Sequence, residues 1–177
     1  MNVCVFCGSS LGDNPIFRDA AEELGVEFVK AGITLVYGGG NVGLMGVLAD
    51  SVLRGYGNVI GVIPDFLMKR EVGHNGVSRL EVVSSMHDRK RRMAELSDAF
   101  VAMPGGWGTL DEFAEILTWN QLRLISKPVF LLNSGKFFAP LLEQMNVMVA
   151  NGFLQHQNYS LINTVDSPAD LVRQLRS

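Results

Sequence analysis

Residues 99–115, AFVAMPGGWGTLDEFAE, constrain the fold more than any other stretch of this chain. Ala99, Phe100, Val101, Ala102 and Met103 form a short apolar run, as a strand buried on both faces requires. Pro104 ends ladder bonding at its nitrogen, and Gly105, Gly106 and Gly108 leave the following turn free of Cβ atoms. Thr109 and Glu112 stand at the S/T-x-x-E spacing of a capping box, and Phe113, Ile116 and Leu117 then recur at helical spacing. The predicted order is strand, glycine-rich turn, then a capped helix with an acidic first turn. The unpaired N–H groups of such a helix start suit an anion, and glycine lets the anion come close. The same glycines also suit a plain tight turn, and Glu112 also suits a capping role. Asp111, Glu112 and Glu115 bring more negative charge than a bare phosphate site wants, which points to a site that binds an anion and stabilises a cation as well.

The rest of the chain repeats this alternation. A strand over 2–7 and a turn over 8–12 precede Pro15, which opens a helix with Phe17, Ala20, Leu24, Phe28 and Val29 on one stripe and Gly32 at its end. A second strand (33–37) runs into a second glycine-rich turn (38–46) and a helix carrying Leu44, Val47, Leu48 and Leu53. A third strand (58–63) is closed by Pro64, residues 65–79 show no clear period, and 80–84 suit a short strand. Ser85 and Asp88 open a helix through about Leu96. After the organising strand, the next helix is expected to reach about Leu124; strand 127–132, helix 137–151, an extended stretch at 160–165 and a short helix capped by Ser167 follow. Without a linker or a break in composition, residues 1–177 are expected to form a single Rossmann-like α/β domain, a doubly wound parallel sheet with helices on both faces. Ligands bind beyond the carboxyl ends of such strands, where turns 8–12, 38–46, 85–92 and 105–112 should converge.

Composition narrows the function classes. The chain has 177 residues, 47% of them hydrophobic, and a net charge of −3, which argues against a nucleic-acid binder. Its one dense basic cluster, Arg89-Lys90-Arg91-Arg92, is short enough to meet a small anion instead. The N-terminus lacks a basic leader pattern and no apolar run reaches membrane-spanning length, so a cytoplasmic protein with no membrane partner is expected. Cys4 and Cys7 form a C-x-x-C, but positions three apart on a strand face opposite ways and cannot share a metal or close a disulfide. They read as small core residues, and the scattered His74, His87 and His156 give no reason to assign a metal.

A nicotinamide-dinucleotide site fits poorly: the first strand is followed by Gly8-Ser9-Ser10-Leu11-Gly12 without G-x-G-x-x-G spacing, and Tyr37 stands where an acidic ribose reader would end the second strand. Another match is specific. Pro104-Gly105-Gly106-Trp107-Gly108-Thr109-Leu110-Asp111-Glu112 resembles the PGGxGTxxE motif of the LOG ("Lonely guy") family, and Met86-His87-Asp88-Arg89-Lys90 resembles its companion MHxRK-type motif. The likeness runs from CGSS at the first turn through GGG-x-x-G-x-M-G to the T-W of the long helix, with Trp107 where tyrosine is common and Asp111 where glutamate is common. It implies a cytokinin riboside 5′-monophosphate phosphoribohydrolase, which cleaves N6-modified AMP to free base and ribose 5-phosphate without a cofactor or metal. It implies Arg89 and Glu112 as catalytic residues. It also implies substrate contacts from Glu71, Arg89, Lys90, Gly105, Gly106, Trp107, Gly108, Thr109, Leu110, Asp111, Glu112 and Thr118. Relatives often carry a lysine decarboxylase label, which finds no support here: of the five lysines only Lys90 falls in the expected site, embedded among arginines.

The residues suit that chemistry. Breaking a ribosyl C–N bond builds positive charge on the sugar and negative charge on the departing purine. Glu112 can serve the first and Arg89 the second, while Gly106, Gly108 and Thr109 hold the 5′-phosphate. Arg89 also suits a solvated charge paired with Asp88 or Glu95, Glu71 suits a surface residue, and Thr118 and Trp119 suit packing. Two other functions remain open from sequence: a carrier like the molybdenum cofactor carriers, and a broader nucleotide 5′-monophosphate nucleosidase. The long helix and its end carry Phe113, Ile116, Leu117, Trp119, Leu122, Leu124 and Ile125, more apolar width than one sheet face needs, so a homodimer or higher homo-oligomer is expected.

Overall fold

The computed structural model describes residues 1–68 and 73–177. Seven strands form one all-parallel sheet: β1 (Asn2–Phe6), β2 (Thr34–Tyr37), β3 (Val59–Pro64), β4 (Arg79–Val83), β5 (Ala99–Ala102), β6 (Val129–Leu132) and β7 (Ile162–Val165), in the order β4-β3-β2-β1-β5-β6-β7. The helices are α1 (Pro15–Ala31), α2 (Gly43–Arg54), α3 (Met86–Leu96), α4 (Trp107–Gln121), α5 (Ala139–Ala150), the single turn α6 (His156–Tyr159) and α7 (Pro168–Leu175). The expected doubly wound sheet is present, and the stretch near 160–165 is its edge strand.

Side-chain alternation on β1 separates two cores. Val3 and Val5 point into the layer of α1, α2 and α7 with Leu24, Phe28, Leu48 and Leu171. Cys4 and Phe6 point into the opposite layer with Met93, Phe100, Phe113 and Phe138, where α3, α4 and α5 pack. Cys7 joins the first layer, so the two free thiols do lie on opposite faces. β5 is buried along its whole length, as its unbroken apolar run requires.

The helix starts follow local chemistry. Asn14 accepts a hydrogen bond from the Ile16 amide and Pro15 begins α1; Gly32, at φ 65°, ends it and donates to the Phe28 and Val29 carbonyls. Ser85 caps α3 by accepting from the Asp88 amide, and Ser167 caps α7 by accepting from Asp170. One expectation is overturned. α4 starts at Trp107 with Gly106 at the N-cap position and no side-chain cap, and Leu110 N–H already bonds the Gly106 carbonyl at 3.2 Å. Thr109 is therefore inside the first turn rather than its cap, and Asp111 and Glu112 fall in the second turn. Packing decides this: Thr109 is buried, its Oγ1 seated 2.1 Å from where a Cβ on Gly105 would stand, so its hydroxyl goes to the turn behind it.

The chain steps outward from β1 through β2 and β3 to β4, then returns across α3 to place β5 on the other side of β1. Turns after β1 and β5 therefore separate at the switch point, the usual place for a ligand. They remain joined by one backbone bond, Gly8 N–H to the Pro104 carbonyl at 3.0 Å, and Gly8 also accepts from the Leu44 amide at the start of α2.

Candidate active site

A cavity of about 220 Å³ opens at this switch point. All four of the turns expected to converge contribute: Gly8 and Ser9 after β1, Gly38 and Met45 around the β2 turn, Met86 and Arg89 from α3, and Gly106 to Thr109 with Asp111 and Glu112 from α4. Cys7 and Leu67 add apolar wall.

Arg89 is buried and anchored in this wall. Its side chain is 5% exposed, and Nη2 donates to the Gly38 carbonyl at 2.9 Å. A Cβ on Gly38 would lie 1.8 Å from that nitrogen, so the guanidinium occupies the space a side chain would take. Arg89 reaches the pocket because α3 begins one turn earlier at the Ser85 cap, with Arg89 N–H bonded to the Ser85 carbonyl at 3.0 Å.

The basic cluster divides among different tasks. Arg92 makes a bidentate pair with Glu81 of edge strand β4, at 2.7 and 3.2 Å, and Arg91 pairs with Asp88 and Glu95 on its own helix. Lys90 extends to α4, with Nζ 3.1 Å from Asp111 and 3.2 Å from Glu115. Burial opposes its charge, but the hydrogen bonds to Asp111 and Glu115 outweigh that and hold its pKa above the ordinary value. At the far end of the same helix pair, Lys127 Nζ donates to the carbonyls of Ala94 and Ser97, satisfying the C-terminus of α3. Of the four basic residues, the cavity is lined by Arg89 alone.

The glycines of the α4 turn differ in what they make room for. Gly105 is forced by Thr109 and by the Gly8 amide, which a Cβ would approach to 2.9 Å. At Gly106 and Gly108 a Cβ would meet nothing within 4 Å. Protein packing does not demand glycine at either position, yet both line the cavity beside the first amides of α4. That is the geometry in which a missing side chain serves an approaching anion.

The Cys7 thiol in the wall is held in the neutral form. Burial pushes its pKa up strongly and the charge of Glu112 adds to this, with Arg89 opposing. Tyr37, buried behind the β2 turn, is pushed up for the same first reason, burial.

Among the expected contacts, Arg89, Gly106, Trp107, Gly108, Thr109, Asp111 and Glu112 share the cavity wall. Gly105 backs the turn, Leu110 packs into the α3–α4 core layer, and Thr118 donates to the Ala114 carbonyl on an exposed part of α4. Glu71 lies outside the described residues. Gly38, Met45, Leu67 and Met86 were not singled out from sequence, because nothing local marks a carbonyl or a methionine as facing a site. Among the described residues no lysine lines the cavity, and no group of three or more His, Cys, Asp or Glu side chains could hold a metal. No described helix is long and apolar enough to cross a membrane.

Fold and site together define a doubly wound α/β protein with an anion-suited cleft at its switch point. A family model described as "Possible lysine decarboxylase" matches residues 45–175. The chain is 46% identical to the probable cytokinin riboside 5′-monophosphate phosphoribohydrolase LOGL1 of Oryza sativa subsp. japonica, over 98% of this chain and 78% of that protein. It is likewise 46% identical to cytokinin riboside 5′-monophosphate phosphoribohydrolase LOG1 of Arabidopsis thaliana, over 98% of this chain and 81% of that one. In architecture it is similar to the molybdenum cofactor binding protein of Rippkaea orientalis, with a TM-score of 0.73, 25% identity, and coverage of 99% and 94% of the two chains. The chain belongs to the LOG family, the group that also carries the lysine decarboxylase description.

Proposed function

We propose that this protein hydrolyses the N-glycosidic bond of N6-modified adenosine 5′-monophosphates, giving the free base and ribose 5-phosphate. The observation that carries the reading is the shared wall: buried Arg89 and the carboxylate of Glu112 face one cavity together with Gly106 and Gly108, whose Cα atoms meet no protein neighbour on the side a Cβ would take. The relatives' substrate named above, a riboside 5′-monophosphate, suits this combination of anion site and carboxylate.

In this reading the 5′-phosphate sits against the first amides of α4, with Thr109 and the two open glycines around it. Anchored there, the ribose presents C1′ to Glu112. As the C1′–N bond lengthens, positive charge grows on the sugar and Glu112 stabilises it, while Arg89 stabilises the electron pair leaving with the purine. Arg89 stays charged throughout, so it acts as a fixed cation and not as a proton donor. Water adds its oxygen to C1′ and its proton completes the free base. Trp107 and Asp111 line the same wall and complete the proposed substrate contacts. Lys90 contributes by holding α4 against α3.

The protein also self-associates in this reading, at least as a dimer. α5 reads APLLEQMNVMVA yet has no buried residue, and Leu122, Leu124 and Phe153 are exposed nearby in the chain. A cytoplasmic location accords with two unpaired, buried thiols.

The deciding experiment incubates the protein with AMP and with N6-isopentenyladenosine 5′-monophosphate and separates the products for free base and ribose 5-phosphate. Faster release from the N6-modified substrate is expected. Comparable turnover of GMP, CMP and UMP would instead make it a broad nucleosidase, and no free base from any nucleotide would remove the activity.

A further inference from the structure

His74 holds no place in the chemistry above, yet it is among the most tied residues near the site. It is buried, and its ring nitrogens are both engaged: Nδ1 accepts from the Gly76 amide at 3.2 Å, which leaves the proton on Nε2 to donate to Asp50 at 3.0 Å. Its own backbone N–H donates to the Gly39 carbonyl at 2.9 Å, and Gly73 beside it forms an antiparallel bridge with Gly40. Residues 73–76 therefore lie across the β2 turn, fastened to it by backbone and to the body of α2 by the His74 ring.

That turn is the floor beneath Arg89. Gly38, one residue before the Gly39 carbonyl that His74 holds, carries the carbonyl that receives Nη2. Gly38 and Arg89 are in such close contact that a shift of the turn must move the guanidinium or break the bond. Asp50 sits on α2, which begins at Gly43 directly out of that turn, so the His74–Asp50 bond ties the helix back to its own entry. We infer that His74, held by Asp50, is a positioning residue for Arg89: it fixes the β2 turn that sets where the guanidinium stands. The kinetic part of its test rests on the hydrolase reading, and the structural part does not.

The variants are His74→Ala, His74→Gln, Asp50→Ala, Arg89→Ala and the double variant His74→Ala with Arg89→Ala. Glutamine can still donate to Asp50 from about the position of Nε2, and Asp50 is half-exposed, so its removal opens no core cavity. Two quantities are measured: kcat and KM for AMP, and amide hydrogen exchange in the peptide spanning residues 38–46. His74→Ala and Asp50→Ala should each lower kcat/KM by at least about tenfold, since small misplacements of a catalytic group cost up to about 10²-fold. His74→Gln should restore most of that loss. In the Arg89→Ala background, adding His74→Ala should cost almost nothing more, a result that a purely structural role does not produce. The turn amides should exchange faster in both single variants. Normal turnover in a folded His74→Ala or Asp50→Ala protein overturns the proposal, as does a full additional loss in the Arg89→Ala background, or unchanged exchange at residues 38–41. If His74→Ala does not fold, Asp50→Ala decides. If the parent protein hydrolyses no nucleotide, the hydrolase reading fails by itself, and the exchange result alone supports or overturns the brace.

Discussion

Arg89 fills the volume that a side chain at Gly38 would need: the guanidinium Nη2 lies 1.8 Å from where a Cβ on Gly38 would be, and 2.9 Å from the Gly38 carbonyl it bonds. Gly38→Ala must therefore displace Arg89 from the cavity wall. The expected outcome is a folded protein whose AMP hydrolysis falls at least about tenfold. Gly38→Ala with parental kinetics would show that the guanidinium's seat is immaterial to turnover.

The glycines of the α4 turn should separate stability from binding. Gly108 is inside α4 and its missing Cβ meets open space, so Gly108→Ala should stabilise the helix by up to about 1 kcal/mol while obstructing the phosphate. A raised melting temperature with weakened AMP binding by calorimetry is the expected pair. Gly105→Ala should do the reverse to stability, since its Cβ collides with Thr109. Undiminished AMP affinity in Gly108→Ala would remove the phosphate from this turn.

Glu112→Gln preserves shape and removes charge. Because the N-cap of α4 is Gly106, the capping-box position three residues on is Thr109, and Glu112 has no capping-box duty to lose. The variant should melt close to the parent, still bind AMP, and hydrolyse it about 10²-fold or more slowly. A folded, fully active Gln variant ends the proposed mechanism.

Much of this was legible in the sequence because glycine and proline punctuate it. Pro15, Gly32, Pro64 and the apolar runs between them fixed the alternation, and parallel order follows from alternation. The start of α4 was misread because Thr109 and Glu112 match a capping box while nothing local reveals that Thr109 is needed underneath Gly105. Ser85 with Asp88 has the same signature and does cap: its hydroxyl accepts from the Asp88 amide and donates to the Asp88 carboxylate. Arg89 could be marked by its motif, but its seat on Gly38 joins residues 51 apart, and the His74–Asp50 bond joins residues 24 apart. Such pairings follow from strand order and register, which residue spacing does not encode.

Acid should weaken the tie between α3 and edge strand β4. The bidentate hydrogen bonds from Arg92 hold the Glu81 carboxyl below its ordinary value of 4.5, and those from Ser84 and Ser85 hold Asp88 below 3.8. Both folded-state values are depressed, so their stabilisation is complete above the unfolded values and is lost as pH falls through the folded ones. Thermal melts of the parent and of Glu81→Gln should differ at about pH 6, and the gap should narrow as the pH falls below the ordinary carboxyl value of 4.5. A gap unchanged between those conditions would rule out the ionised pair as its source.

Self-association should depend on the exposed apolar residues after α4 and α5. Sedimentation of the parent is expected to give a dimer or larger species, and Leu124→Asp with Phe153→Asp to shift it toward monomer. A parent that sediments as a 19.4 kDa monomer at micromolar concentration contradicts this.

Helices α3 and α4 are tied twice: directly by Lys90 on Asp111 and Glu115, and beyond the end of α4 through Lys127, whose backbone is held by the Asn120 side chain while its Nζ holds the carbonyls of Ala94 and Ser97. A pair fastened twice has no hinge between its members. Arg89 and Glu112 stand one on each of these tied helices, so part of the ordering that a looser cleft would undergo on each encounter is completed when the chain folds.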